Sequence, residues 1–260
     1  GNSVMTANWG QFFDPYDRRA RTLPALLCLL PPLVVLVIVY PASVSWQQAA
    51  FGLLVWCGGV FLLSRIARDS GKRIQDKLFA TWSGAPTTRL LRHRDRHLDV
   101  HTKRELHAQL VRLTGLTLPT APQEDADADA ADEVYRAAVT WLIKRTRDPK
   151  RFSLLFKENV NFGFQRNALG LRWVGVAFAG ISVLWILVAA GLLTAAYPHY
   201  HADRWQSISL PMGASLLVSL LMLAVWLLAI TPGAAKRTAF AYAERLLECA
   251  DVLSSDKATG

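Results

Sequence analysis

Four stretches without a single Asp, Glu, Lys or Arg, at residues 23–40, 49–64, 173–197 and 207–231, constrain this 260-residue chain more than any motif in it. A helix crosses a bilayer with about 20 mostly apolar residues, and a shorter core borrows from its flanks. The second stretch is the shortest, but Trp46 and Gln47 before it and a snorkelling Arg65 after it suit the headgroup level. The third and fourth each run 25 uncharged residues, longer than the core helices of ordinary water-soluble proteins. Four transmembrane helices are predicted.

Their orientation follows from the cations, because short loops rich in Lys and Arg stay in the cytoplasm. Arg18, Arg19 and Arg21 precede the first span, and Lys236 and Arg237 follow the fourth. Residues 65–172 hold 21 Lys+Arg against 13 Asp+Glu. The other two loops carry almost no charge: none at residues 41–48, and only Asp203 and Arg204 at 199–206. Both termini and the middle segment are therefore expected in the cytoplasm, with two outer hairpins that are little more than turns. The layout is all-α, two spans plus two: an N-terminal segment (1–21), a transmembrane hairpin (22–66), a basic helical cytoplasmic domain (67–171), a second hairpin (172–231), and a cytoplasmic C-terminal helix and tail (232–260).

Residues 1–4, ahead of Met5, read as an expression scar, and the first apolar run lacks the small-residue cleavage site of a signal peptide. Cys28, Cys57 and Cys249 are too scattered for a disulfide framework or a zinc site.

Between the hairpins, helical periodicity dominates. Ile66, Ile74, Leu78, Phe79 and Trp82 share a face that continues the second span, and Gly84 and Pro86 end it. A second helix is predicted from Thr102, which with Glu105 forms a Thr-x-x-Glu capping box, through Leu106, Leu110 and Leu113 to Gly115. Residues 123–132, an Ala/Asp-rich run without an apolar face, read as a mobile loop. A third helix over 132–147 buries Tyr135, Ala138, Val139 and Leu142. After Pro232 and Gly233, the residues Phe240, Ala243, Leu246, Leu247, Ala250 and Leu253 mark a last amphipathic helix.

No carboxylate, His or Lys lies within a span, which removes the usual proton relays and coupling sites of pumps and secondary transporters. Small residues recur there, among them Gly58, Gly59, Gly175, Ala179 and Gly180. Ser215 and Ser219, four apart on one face, either pack helices closely or line an uncharged pore in an oligomer. Arg89, Arg92, Arg94, Arg96, Lys103 and Arg104 place six cations within sixteen residues, preceded by Thr87 and Thr88. Arginine forks and hydroxyls of this kind bind phosphate, whether of a lipid headgroup, a nucleotide or an oligonucleotide. Trp82, Tyr135, Trp141 and Phe162 are aromatics able to stack bases. His93, His97 and His101 are spaced by four, but no Cys or carboxylate completes a metal set, so they read as solvent-facing. The segment 159–167, with Asn159, Asn161, Phe162, Gly163, Arg166 and Asn167, joins the basic domain to the third span, and Gly163 is expected to permit a bend there. No phosphate-binding loop, nucleophile elbow or zinc-protease motif is present, and neither enzymatic activity nor a cofactor is expected.

The order of two spans, a basic helical domain and two more spans resembles the four-span membrane effectors of bacterial anti-phage systems encoded beside nucleotidyltransferases. The residues that carry it are Gly84-Ala85-Pro86-Thr87-Thr88-Arg89-Leu90-Leu91-Arg92 and Lys157-Glu158-Asn159-Val160-Asn161-Phe162-Gly163-Phe164-Gln165-Arg166-Asn167. The membrane effector of the Hailong system is the particular likeness, with effectors of cyclic-oligonucleotide systems as neighbours. The resemblance implies a homo-oligomeric channel that depolarises the inner membrane and halts growth. A single-stranded DNA oligomer made by the partner enzyme would hold it shut, or a cyclic oligonucleotide would open it. The resemblance assigns no residue, so the sites above rest on charge and position. Small-residue faces without intramembrane charge further suggest a symmetric homo-oligomer, a tetramer. A non-conducting anchor that recruits a protein or nucleic acid to the inner leaflet is the alternative.

Overall fold

The computed structural model describes residue 16, residues 18–39 and residues 46–259. Residues 1–4 and residues 41–45 of the loop expected at 41–48 lie outside the described residues, as do the side chains of Trp46 and Gln47. Among the described residues every regular element is a helix, apart from one isolated bridge between Leu193 and Tyr200. The order is α1 (Leu23–Val34), flanked by π-helical turns Arg18–Thr22 and Val35–Val39; α2 (Trp46–Thr81); α3 (Pro86–Arg89); α4 (Val100–Thr114); α5 (Ala121–Ala126); α6 (Ala128–Arg145); α7 (Ser153–Ala189). A 3-10 turn (Ala202–Ser207), α8 (Leu210–Ala224), a π-helical turn (Val225–Ala229) and α9 (Pro232–Thr259) complete the chain. Four of these helices are long and apolar enough to cross a membrane.

The chain divides into two units, one of residues 1–74 and 163–234 and the other of 75–162 and 235–260. In the first, the span unit, α8 packs on α1 and on the turn Val35–Val39. Glycines set the closest approaches. A Cβ at Gly71 would lie 2.5 Å from Asn167 Oδ1, and one at Gly170 would lie 2.5 Å from Ser70 Oγ, so α2 and α7 cross nearly backbone to backbone. A Cβ at Gly175 would fall inside the indole of Trp226. Many other apolar side chains of this unit face outward: Phe51, Leu54, Trp173, Leu210 and Leu228 are each at least 68% exposed. Exposure on that scale is stable only against lipid or another apolar surface.

The second, the polar unit, has an aliphatic core that α4, α6, residues 152–155 and α9 build together. Leu106, Leu110 and Leu113, then Tyr135, Ala138, Val139 and Leu142, then Phe240, Ala243, Leu246, Leu247 and Ala250 are all buried, as their spacing predicts. A smaller cluster of Trp82, Phe162 and Ala239 lies beside Phe79 and Tyr242. The turn after α2 uses Gly84 at φ 123°, and Gly115 ends α4 at φ 73° with its N–H on Val111 O; both are conformations that glycine adopts without steric cost.

The helix starts differ from expectation in two places. Helix α4 begins two residues before Thr102, because Asp99 is its cap: the carboxylate accepts the N–H groups of His101 and Thr102 at 2.9 and 3.0 Å. Residues 123–132 form no loop. Thr120 donates its N–H to Gln123 Oε1 at 2.9 Å and starts α5, and Asp127 accepts the N–H of Ala130 at 3.0 Å and starts α6. The connection from α7 to α8 is likewise more than the expected turn, since residues 193–207 hold the bridge and the 3-10 turn.

Candidate functional site

The segment that follows Gly84 carries six cations within residues 89–104, and the fold binds several of them internally. Arg89 donates Nε to Asp95 at 2.6 Å and Nη1 to Trp82 O at 3.2 Å. Arg92, 7% exposed, makes a two-pronged pair with Asp132 at 2.8 and 2.5 Å and donates to Ser83 O at 2.6 Å. Lys103 is buried and donates its ammonium to Arg92 O at 2.7 Å and to Asp95 O. Thr88 is buried as well. These residues close the loop 90–98 over the core.

Glu124 is the hub of that closure. At 1% exposed, its carboxylate accepts the His93 N–H at 2.7 Å, the Arg94 N–H at 3.3 Å and the Tyr135 hydroxyl at 2.8 Å. Burial pushes the Glu124 carboxyl up, but the donors from His93, Tyr135 and Arg94 outweigh it and hold the group below its ordinary value. Asp95 follows the same pattern: burial raises it, and Arg89 with the His97 N–H brings it below the usual range. Burial lowers Lys103, with Asp95 and Glu124 opposing. His107, whose Nε2 lies 2.8 Å from Leu91 O, is lowered by burial. Hydrogen bonding to Asp132 raises Arg92 further.

What remains open to a ligand is a subset of the expected patch. Arg96 and Arg104 are exposed and make no ion pair among the described residues. Arg94 has 47% of its side chain exposed and lies 3.8 Å from Glu124, a loose pair. Thr87 is half-buried. The aromatics meant for stacking are mostly occupied: Tyr135 is fully buried, Trp82 and Phe162 sit in the small aromatic cluster, and Trp141 carries Arg145 over its ring at 5.1 Å. Two of the three spaced histidines have partners, His93 beside Pro119 O at 2.9 Å and His97 on Glu244 at 2.6 Å. Among the described residues no group of three metal-ligating side chains converges.

Charge is also distributed differently from the plain count along the chain. The polar unit holds 19 Lys+Arg against 16 Asp+Glu, a surplus of three, while the span unit holds 10 against 4, a surplus of six. Most of the latter cations, Arg18 to Arg21, Arg65 to Arg73, Arg166 and Arg172, flank the apolar stretches.

The segment 159–167 belongs to one uninterrupted helix, α7, and the division between units falls at Phe162 and Gly163. Phe162 stacks between Phe79 and Tyr242, at 6.4 and 6.5 Å. Asn161 donates to Glu158 at 3.3 Å, and Asn159 is half-buried. Helix α7 runs unbroken past Gly163, which admits Tyr16, whose hydroxyl would lie 2.7 Å from a Cβ at that position. Arg166 has Tyr16, Arg21 and Arg68 as neighbours. Asn167 is fully buried and donates Nδ2 to Ala20 O at 2.7 Å. In α8, Ser215 and Ser219 are fully buried, and each hydroxyl donates to the carbonyl four residues back, Pro211 O at 2.9 Å and Ser215 O at 2.8 Å.

Glu124 and Asp132, which organise the basic loop, were hidden in the Ala/Asp run. The signals that point to them are local: Thr-x-x-Gln at 120–123 with Pro122 in the first turn, and Asp127 ahead of a second helical period. No protein-family model, curated protein or solved structure matches the chain.

Proposed function

We propose that this chain is a homo-oligomeric, ligand-gated channel effector that permeabilises the bacterial inner membrane in anti-phage defence. Both termini and the polar unit lie in the cytoplasm in this reading. A nucleotide or DNA oligomer binds the polar unit through Arg94, Arg96 and Arg104, and Arg89, Arg92 and Lys103 shape the loop that displays them. The observation that carries the reading is the shared helix: α7 supplies residues 153–162 to the polar unit and 163–189 to the span unit, with no flexible linker where the two divide. Rotation or translation of such a helix at one end reaches the other, and a ligand with different affinities for two positions of it shifts their populations. The uncharged spans, the outward apolar faces and the resemblance to four-span defence effectors agree with a pore made by several copies.

The second reading, a non-conducting anchor, draws on the buried, self-satisfied hydroxyls of Ser215 and Ser219, which serve close packing within one protomer. A membrane-potential dye in bacteria expressing the chain separates the two: depolarisation supports the channel, and a full potential with growth arrest supports the anchor. Ligand binding is tested by titrating single-stranded DNA against salt. Three phosphate contacts predict a log–log slope of about −2, at about −0.7 per contact, lost in Arg94→Ala/Arg96→Ala/Arg104→Ala. A slope near zero in the parent rejects the phosphate site.

A further inference from the structure

One groove of the polar unit has the opposite charge to the chain as a whole. It lies between α4 and α9, with Leu98, Leu106 and Leu247 as an aliphatic floor and Glu105, Glu244, Glu248 and Asp251 along its walls. No Lys or Arg lines it, in a protein of net charge +9. All four carboxylates have side-chain partners: Glu244 holds His97, Glu248 holds Arg245 at 2.5 Å, and Gln109 donates to Asp251 and, at 3.5 Å, to Glu105. Even so, four carboxylates over an apolar floor repel a polyanion, so the groove is no part of the phosphate site. It suits an aliphatic side chain flanked by cations.

The same unit displays such a segment at the end of α6. Ile143 is 40% exposed, and Lys144, Arg145, Arg147 and Lys150 beside it are exposed too. Lys144, Arg147 and Lys150 make no ion pair among the described residues, whereas Arg151 is held by Asp256. An apolar knob with cations one and four residues on is complementary to the groove in both sign and character. We infer that the groove receives the 143–150 corner of a second copy of this chain.

The contact uses different patches on the two partners and is therefore head-to-tail, so its repetition closes a ring when the rotation permits. Copies held in one membrane meet at high local concentration, which allows a small contact of this kind to form. The inference rests on the homo-oligomer of the proposed function, and it specifies which surfaces of the polar unit pair.

Carbodiimide coupling of the full-length protein in membranes tests it, because that reagent joins a lysine amine to a carboxylate only when the two touch. Protein prepared as an equal mixture of light and nitrogen-15-labelled copies should yield peptides joining Lys144 or Lys150 to Glu105, Glu244, Glu248 or Asp251. About half of them should carry one label from each copy. Glu105→Lys/Glu248→Lys and Lys144→Glu/Arg147→Glu should each reduce these mixed peptides tenfold or more. The fourfold swap should restore an inter-copy link, from the new lysines to the new glutamates. Groove–corner peptides that are absent, or that come only from single copies while the protein remains an oligomer, overturn the inference and leave the channel reading in place. A monomeric parent overturns both.

Discussion

Replacing Glu124 with Ala tests most sharply how the basic loop is held. The substitution removes the acceptor of the His93 N–H at 2.7 Å and of the hydroxyl of Tyr135, itself fully buried, while the longer bond from the Arg94 N–H at 3.3 Å contributes less. An unsatisfied buried donor costs about 1–3 kcal/mol, and removing one partner of a buried charged cluster costs about 3–5 kcal/mol in all. Against a typical domain stability of about 5–15 kcal/mol, the loop should open locally before the unit unfolds. Hydrogen exchange followed by mass spectrometry reads this directly. Amides of peptides spanning 90–98 should exchange about 10²- to 4 × 10³-fold faster, since each 1.4 kcal/mol is about a factor of ten. Residues 106–113, in the core of α4, should change far less. DNA binding should weaken as well, because Arg94 and Arg96 ride on the same loop. Unchanged exchange over 90–98 in the variant would refute the view that Glu124 fastens it.

Acidification should destabilise the polar unit in two steps. His107 is lowered from its ordinary 6.5 by burial, so its contribution is present above pH 6.5 and is lost as pH falls through the folded value; His107→Gln, which can still bond Leu91 O, should flatten that part of a melting-temperature profile. Glu124 and Asp95 are held below their ordinary 4.5 and 3.8, so a second loss should follow below about pH 4.5, and a profile flat from pH 7 to 3 would contradict both assignments. In the span unit, Gly175→Ala forces the Trp226 ring to move and should cost about 1–3 kcal/mol by thermal melting in detergent, whereas Gly180→Ala, which meets nothing within 4 Å, should be nearly neutral; equal melting of the two would refute the packing account. Asn161→Ala should change conductance while assembly and DNA affinity stay within a few fold. Asn167→Ala, which strips Ala20 O of a buried donor, should instead lower thermal stability, and the reverse pattern would exchange their roles.

The parts of the fold governed by a single helical period were legible in the sequence. The stripes at 106–113, 135–142 and 240–250 are buried as their spacing requires, and each of the four apolar stretches contributes a helix long enough to cross a membrane, the third ending at Ala189. Residues 123–132 were not legible in that way, because alternating Ala and Asp offer no apolar face. Their helices are fixed by the caps at Thr120 and Asp127 and by two carboxylates whose partners lie 30 and 40 residues back along the chain, at Arg94 and Arg92. The same long-range pairing explains the partial reading of the basic patch. Cation density along the chain is blind to Asp132 and Glu124, so it cannot separate Arg92, which is buried, from Arg96, which is exposed. Gly163 illustrates a further limit: a glycine in a helix allows a bend or a close neighbour, and nothing near it in the sequence points to the approach of Tyr16.

Single-channel recording of the purified protein in a planar bilayer, with single-stranded DNA added to the side that carries the polar unit, tests the central claim most directly. The account predicts discrete conductance steps whose open probability changes with the DNA, and an effect that weakens as salt rises. A bilayer that stays silent with and without DNA, while the same preparation binds DNA and is an oligomer, would contradict it and leave the chain a membrane anchor.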